Sequence, residues 1–323
     1  MQTATSFWTI APGRGALRTA PLRSPGDGEV LVRMRFSGIS RGTESLVFHG
    51  RVPPSQYASM AGPHQQGTFP FPVQYGYIAV GTVESGPQAG TDLFCLHPHQ
   101  DWFVLPESLV APLPPGLPAE RAVLTANMET ALNGVWDAGI GPGDRVTVVG
   151  AGVVGSLVAW LAGRIPGTEV TLVDVLPERA AVAEALDLSF ALPSQAPLDQ
   201  DHVVHASGHP DGLDTALACA GVEATVLEMS WYGDQRVPAR LGAAFHSRRL
   251  NLKSSQVGRI PPHRAPRWNY RRRLQAAMTL LQDPALDILI DGESPFAAMP
   301  DTMVRITSSP GTLCHRIVYP GAR

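Results

Sequence analysis

The chain has 323 residues, 44% hydrophobic and 16% charged, enough to bury a full core and, as a soft prior, to form about two domains. Its 25 lysines and arginines against 28 aspartates and glutamates leave a formal charge of −3, which offers no footprint for nucleic acid or an anionic membrane surface. The three cysteines, Cys95, Cys219 and Cys314, stand too far apart for a disulfide framework or a C-x-x-C zinc lobe, so the expected compartment is reducing.

In chain order, Met1 to Ala11 lack the basic and then apolar pattern of a secretory signal. No run of about 18 apolar residues follows, and the expectation is a cytoplasmic protein. From Glu29 to Phe36 the residues Val30, Val32, Met34 and Phe36 alternate with Leu31, Arg33 and Arg35, the period-two pattern of a half-buried strand. A β-rich block with frequent turn residues continues through Phe71–Val83, Asp92–Leu96 and Trp102–Leu105, and reads as a small, partly open barrel. The texture turns helical over Glu120–Ala138. Strand-length apolar runs at Arg145–Val149, Val170–Asp174, His202–Ala206, Thr225–Met229 and Leu250–Val257 then alternate with helical stretches, the signature of a parallel sheet with crossover helices. Past Gly258 the prolines break the pattern before a helix-like Tyr270–Leu281 and a strand-like Arg316–Tyr319. The fold class expected is α/β: a β-rich domain of residues 1–126 and 259–323, with a doubly wound parallel-sheet domain of residues 127–258 inserted into it and a ligand cleft between them.

Gly150-Ala151-Gly152-Val153-Val154-Gly155 directly follows a predicted strand and opens a helix that carries Val154, Leu157, Val158 and Leu161 on its inner face. In that context the motif predicts a dinucleotide site. Gly150 permits the turn, Gly152 leaves room for the pyrophosphate, Gly155 lets helix and strand close, and the amides at Val153 and Val154 face the phosphates. Asp174, at the tip of the next strand, is placed to accept the adenosine ribose hydroxyls, which points to NAD. Arg179, five residues on, offsets part of its repulsion of a 2′-phosphate and keeps NADP as the minority reading. Ser207 and Gly208 follow the next strand, where small residues let the nicotinamide end approach; a plain turn is the other reading.

The segments Ser37-Gly38-Ile39-Ser40-Arg41-Gly42-Thr43-Glu44, Gly76-Tyr77-Ile78-Ala79-Val80-Gly81, Leu113–Pro118 and Glu129–Leu132, with the glycine motif and Asp174, make the chain resemble the medium-chain dehydrogenase/reductase superfamily over nearly all its length. That resemblance implies a GroES-like catalytic domain with an inserted Rossmann domain. The zinc-dependent alcohol dehydrogenases of that superfamily place cysteine, histidine and glutamate where this sequence has Ser40, Tyr77 and Ile78. A closed tetrahedral site needs soft thiolate or imidazole ligands, so no zinc is expected. His49-Gly50-Arg51-Val52-Pro53-Pro54 adds a local similarity to bacteriochlorophyllide a dehydrogenases, which implies secondary-alcohol/ketone chemistry without implying the pigment.

Without a Lewis acid, a hydroxyl or a cation must stabilise the alkoxide that develops during hydride transfer. Tyr77 and Ser40 hold the positions of lost ligands, and Arg41 is placed to lower the phenol's pKa or, as the resemblance to the zinc enzymes implies, to meet the pyrophosphate; alternatively Tyr77 is a core aromatic. Thr43 and Glu44 read as a helix cap. His97 and His99, two apart in extended chain, would share a face for acid/base work or else pack, with no third ligand beside them. Glu129 reads as a solvated helix charge or a base, and Arg271-Arg272-Arg273 as the wet side of a helix whose buried stripe is Leu274, Ala277, Met278 and Leu281, with anion or pigment binding beside Trp268 and Tyr270 as the other reading. The expected function is NAD-linked interconversion of a secondary alcohol and a ketone on a mid-sized small molecule by a homodimer. An NADPH-dependent enone or quinone reductase, and a dinucleotide-binding protein without turnover, are the alternatives.

Overall fold

The structure, a computed structural model, describes residues 2–322. The chain divides into two compact units, one formed by the chain up to Ala126 together with the chain from Met278 onward, the other by Asn127–Ala277.

The first unit is built on the strand Glu29–Ile39, whose inward residues Val30, Val32, Met34 and Phe36 are all but fully buried, in the alternation expected of a strand with one wet face. From Phe36 onward the alternation stops and Ser37, Gly38 and Ile39 are buried as well, because this end is flanked by Ala79–Val83 on one side and Cys314–Val318 on the other. A seven-stranded sheet results, adding Ile290–Pro295, Asp92–Cys95, Ala111–Pro112 and Trp102–Pro106. A four-stranded sheet carries the two amino-terminal strands Thr3–Ala11 and Arg14–Pro21, which no clean sequence alternation announces. The core joins Phe7, Met34, Phe48, Phe103, Met303 and Tyr319. Helix Met299–Ser308 closes it with Met299, Thr302, Met303 and Ile306, spaced as one helix face.

The second unit holds a six-stranded parallel sheet in the order Ser189–Ala191, Glu169–Val173, Arg145–Val149, Gln200–His205, Ala220–Glu228, Asn251–Ser254. Numbered along the chain this is 3-2-1-4-5-6, the doubly wound dinucleotide-binding order, with its direction reversing at Arg145–Val149. The last strand is shorter than the expected Leu250–Val257, and Ser189–Ala191 was too short to register as a periodic run.

Residues 259–277 group with this second unit and not with the first. Two contacts explain this grouping. Trp268 lies against Trp136, with ring centroids 4.7 Å apart, and Arg273 pairs with Glu129 at 3.0 Å. Arg273 is 2% exposed, so it belongs to the buried stripe with Ala277 and Met278 while Leu274 is only half-buried; of the three arginines, Arg271 and Arg272 lie on the wet side. Glu129 is accordingly a buried partner and not a solvated charge.

Candidate active site

The strand Arg145–Val149 runs into Gly150 at φ +108°, a conformation L side chains rarely adopt. A Cβ there would also lie 2.6 Å from the Ser207 amide nitrogen. Gly155 is packed still harder, since a Cβ would stand 1.9 Å from the Gly150 carbonyl oxygen. Gly152 is the opposite case: its backbone is extended and a Cβ would meet nothing within 4 Å. Two glycines close the turn and the middle one faces open space. Helix Val153–Ala162 begins immediately after it with no side-chain cap, leaving the half-buried Val153 and Val154 at its positive end.

Asp174 stands at the tip of the adjoining strand. One carboxylate oxygen accepts from the Ala151 N–H at 2.7 Å and the other from the Leu176 N–H at 2.9 Å, which pins the carboxylate at the lip of the glycine turn. Arg179 is buried in the short turn Pro177–Arg179. Ser207 and Gly208 are exposed just past the strand Gln200–His205, with Gly208 at φ +69°.

In the first unit, Ser40 precedes helix Arg41–Phe48 and its N–H donates to Glu44 Oε1 at 2.8 Å, so Glu44 does cap the helix. Its other oxygen meets His99 Nε2 at 2.8 Å, a pairing the capping motif alone does not reveal. His99 Nδ1 lies 2.7 Å from Ser37 Oγ, which in turn lies 3.2 Å from Tyr319 Oη. Beside this buried chain the half-buried Tyr77 carries hydrogen bonds to the hydroxyls of Ser40 and Thr43. Burial, and secondarily the Glu44 charge, push its phenol up to about 12 against the pull of those two bonds, so it is protonated at neutral pH.

The two histidines of the His97-Pro98-His99 segment part company. His97 stacks on Phe103 with centroids 3.8 Å apart and on His64 at 5.6 Å, and burial drives its ring down to about 3. It is a neutral packing group there, whereas His99 joins the Glu44 chain. Arg41 is the half-buried first residue of its helix. Among the described residues, no group of three or more His, Cys, Asp or Glu side chains is placed to hold a metal ion.

A cluster that sequence reading passed over sits at the ends of two parallel strands of the second unit, where His205 Nδ1 meets Glu228 Oε2 at 2.7 Å and Tyr232 and Ser230 join them. The available signal was a titratable residue closing an apolar run, His205 after Val203-Val204 and Glu228 after Val226-Leu227.

No family model matches the chain. D-guloside 3-dehydrogenase of Escherichia coli (strain K12) is 24% identical over 310 residues, covering 86% of this chain and 88% of that protein. The 2-desacetyl-2-hydroxyethyl bacteriochlorophyllide A dehydrogenase of Cereibacter sphaeroides is 28% identical over 227 residues, 62% of this chain and 65% of its own. Among solved structures, a short chain alcohol dehydrogenase from E. coli CFT073 complexed with NADH superposes with a TM-score of 0.76 at 16% identity, covering 99% of each chain. A Sinorhizobium meliloti 1021 protein bound to NADP gives a TM-score of 0.77 at 18% identity, covering 98% of this chain and 100% of that one. The fold is therefore that of the GroES-like plus Rossmann dehydrogenases.

Proposed function

We propose, from the premise that this chain belongs with its zinc-type alcohol dehydrogenase-like relatives to the medium-chain dehydrogenase/reductase superfamily, that it is an NAD(H)-dependent oxidoreductase interconverting a secondary alcohol and a ketone without zinc. The observation that carries this reading is the glycine turn: Gly150 and Gly155 are closed by packing, Gly152 is open, and Asp174 is held beside them by two amides. Diphosphate oxygens reach the free amides of Val153 and Val154 only across a residue without a side chain. Each Asp174 oxygen spends one lone pair on an amide and keeps another for a ribose hydroxyl. A 2′-phosphate at that place would meet the carboxylate, and this favours NAD over NADP.

The nicotinamide ring, when bound, takes up or returns the hydride. What this chain supplies is polarity. Protonated Tyr77 donates a hydrogen bond to the substrate oxygen where negative charge develops, Ser40 and Thr43 orient the phenol, and the Glu44–His99–Ser37 chain holds the helix that carries Thr43 and begins just after Ser40. With its phenol pushed up to about 12, Tyr77 has almost no phenolate at neutral pH to take a proton, so its contribution is donation, and the hydroxyl proton released on oxidation or taken up on reduction is exchanged with solvent.

The donors present do not fit zinc. Ser40, Thr43 and Tyr77 offer neutral hydroxyls, and both nitrogens of His99 are engaged. Cys314 is buried with its thiol pushed up to about 12 by burial. The substrate class proposed is a mid-sized molecule bearing a secondary hydroxyl, the chemistry that the guloside and hydroxyethyl relatives share by name. A homodimer paired through the exposed edge strand Asn251–Ser254, and residence in a reducing compartment with Cys95, Cys219 and Cys314 as free thiols, complete the reading.

The test is a titration with NADH and NADPH, repeated on Asp174→Ala, and then a screen of secondary alcohols and glycosides with chelator present. NADH binding tighter than NADPH by about tenfold or more, a preference lost in D174A, and turnover indifferent to chelator are expected. Preference for NADPH, or loss of turnover on chelation, refutes the assignment.

A further inference from the structure

His205 and Glu228 end adjacent parallel strands and are register partners, so their side chains leave the sheet at the same edge as the glycine turn. The proton positions follow from the donor count. Glu228 Oε1 accepts from the Ser230 N–H at 2.7 Å, and Oε2 accepts from the Tyr232 O–H at 3.0 Å and from His205 Nδ1 at 2.7 Å. Burial raises the Glu228 carboxyl, yet the bonds from His205 and Ser230 outweigh it and hold the group below its ordinary range. Nδ1 therefore carries the proton, and in the neutral ring Nε2 is an acceptor. It lies 2.6 Å from Ser207 Oγ, much nearer than the 3.4 Å contact from that hydroxyl to the His209 carbonyl. The Ser207 proton thus points inward. One lone pair of Oγ accepts from the His209 N–H at 3.1 Å, and the other faces outward from an exposed residue.

Serine, histidine and glutamate in this order also make an acyl-transfer triad. The amides that would cradle an oxyanion are already taken, Gly208 N–H by Ser230 Oγ and His209 N–H by Ser207 Oγ itself. Helix Pro210–Cys219 also closes on the pair, since a Cβ at Gly212 would lie 2.2 Å from Ser207 Oγ. The arrangement orients a hydroxyl and does not activate a nucleophile.

We infer that His205 and Glu228 are positioning residues for the nicotinamide half of the dinucleotide, keeping the Ser207 proton turned inward so that the Ser207 hydroxyl offers an acceptor lone pair to the carboxamide N–H. This rests on the dinucleotide reading above. The Ser207 backbone is what the missing Gly150 Cβ would strike, so the hydroxyl borders the phosphate turn. The strand bearing Asp174 flanks Arg145–Val149 on one side and the strand leading to Ser207 flanks it on the other, so adenosine on the Asp174 side leaves the rest of the molecule to the Ser207 side.

Calorimetric titrations of NADH and of ADP-ribose, which lacks the nicotinamide, are made on the wild type, Ser207→Ala and Glu228→Gln, with 15N spectra of the histidine rings. In E228Q the Ser230 N–H keeps the amide oxygen on its side, so the amide N–H faces Nδ1, the ring tautomer inverts and the Ser207 proton turns outward. Each variant is expected to weaken NADH about fivefold, the double variant no more than either alone, with ADP-ribose affinity unchanged. The wild-type His205 signal should report Nδ1–H and the E228Q signal Nε2–H. An unchanged NADH affinity in S207A, an equal loss for ADP-ribose, or an Nε2–H tautomer in the wild type overturns the inference. Failure of the wild type to bind ADP-ribose overturns the dinucleotide reading, and the inference with it. Should E228Q not fold, S207A and the wild-type spectrum still decide.

Discussion

Gly152→Ala separates folding from binding. The residue adopts φ −74° and ψ −179°, extended backbone open to any L residue, and the new methyl would touch nothing within 4 Å. The folded state therefore loses nothing, and the unfolded chain loses freedom, a gain in stability of roughly 0.4–1 kcal/mol. For a chain of this size the melting temperature should rise by about 1–2 °C. Binding moves the other way. The methyl occupies the space a phosphate oxygen needs to come within hydrogen-bond reach of the Val153 and Val154 amides. Charge-assisted bonds of this kind contribute roughly 1.5–3 kcal/mol each, so losing one or two costs about 3 kcal/mol, a hundredfold or so in NADH affinity. Gly155→Ala is the control with opposite sign, because its methyl would stand 1.9 Å from the Gly150 oxygen and must displace backbone. Calorimetric NADH titration beside a thermal melt reads both quantities. A G152A protein that melts normally and binds NADH within about threefold of wild type would show that no diphosphate uses this turn.

Tyr77→Phe should lower kcat by about 10²–10³ while NADH affinity and the melting temperature hold, as expected for a lost donor to the developing oxyanion; a change below about threefold would make Tyr77 a packing aromatic only. Arg273→Ala leaves Glu129 buried without its partner, and burial already outweighs the arginine's pull so that the Glu129 carboxyl sits above its ordinary range. Urea unfolding should register a loss of about 3–5 kcal/mol, and a loss under about 1 kcal/mol would contradict the buried pairing. His97 is held neutral in the fold at about 3 against 6.5 when free, so its contribution is complete above the free value and drains away as pH falls toward the folded one. Between pH 7 and pH 5 this amounts to about 2 kcal/mol. His97→Phe keeps the stack on Phe103 and should flatten that part of the acid limb, and equal urea-midpoint losses in both proteins would sink the point.

The glycine turn was legible because everything it needs is local. A strand, three glycines and a helix start lie within one short segment, and the requirement for absent side chains is written as residue identity. Asp174 was legible for a related reason, since one crossover helix separates it from the turn and the handedness of that crossover leaves one place for the next strand tip. The half-buried strand Glu29–Ile39 was read from its alternation but ended three residues early, at the point where neighbours on both sides bury it and alternation ceases to carry information.

Side-chain partnerships across long chain separations were not legible. The sequence shows Ser37, Glu44, His99 and Tyr319 as four unrelated polar residues, and the sheet joins them over separations of up to 282 positions. Glu129 and Arg273 each looked solvated, and only the fold places them together, 144 residues apart. His205, Glu228 and Ser207 meet because two parallel strands end in register. Local backbone preference and period are properties of neighbours in the chain, so the sequence alone determined the two kinds of domain and the glycine turn. Which charges are buried, and which proton points where, is a property of neighbours in space, and that was decided by how the strands pair.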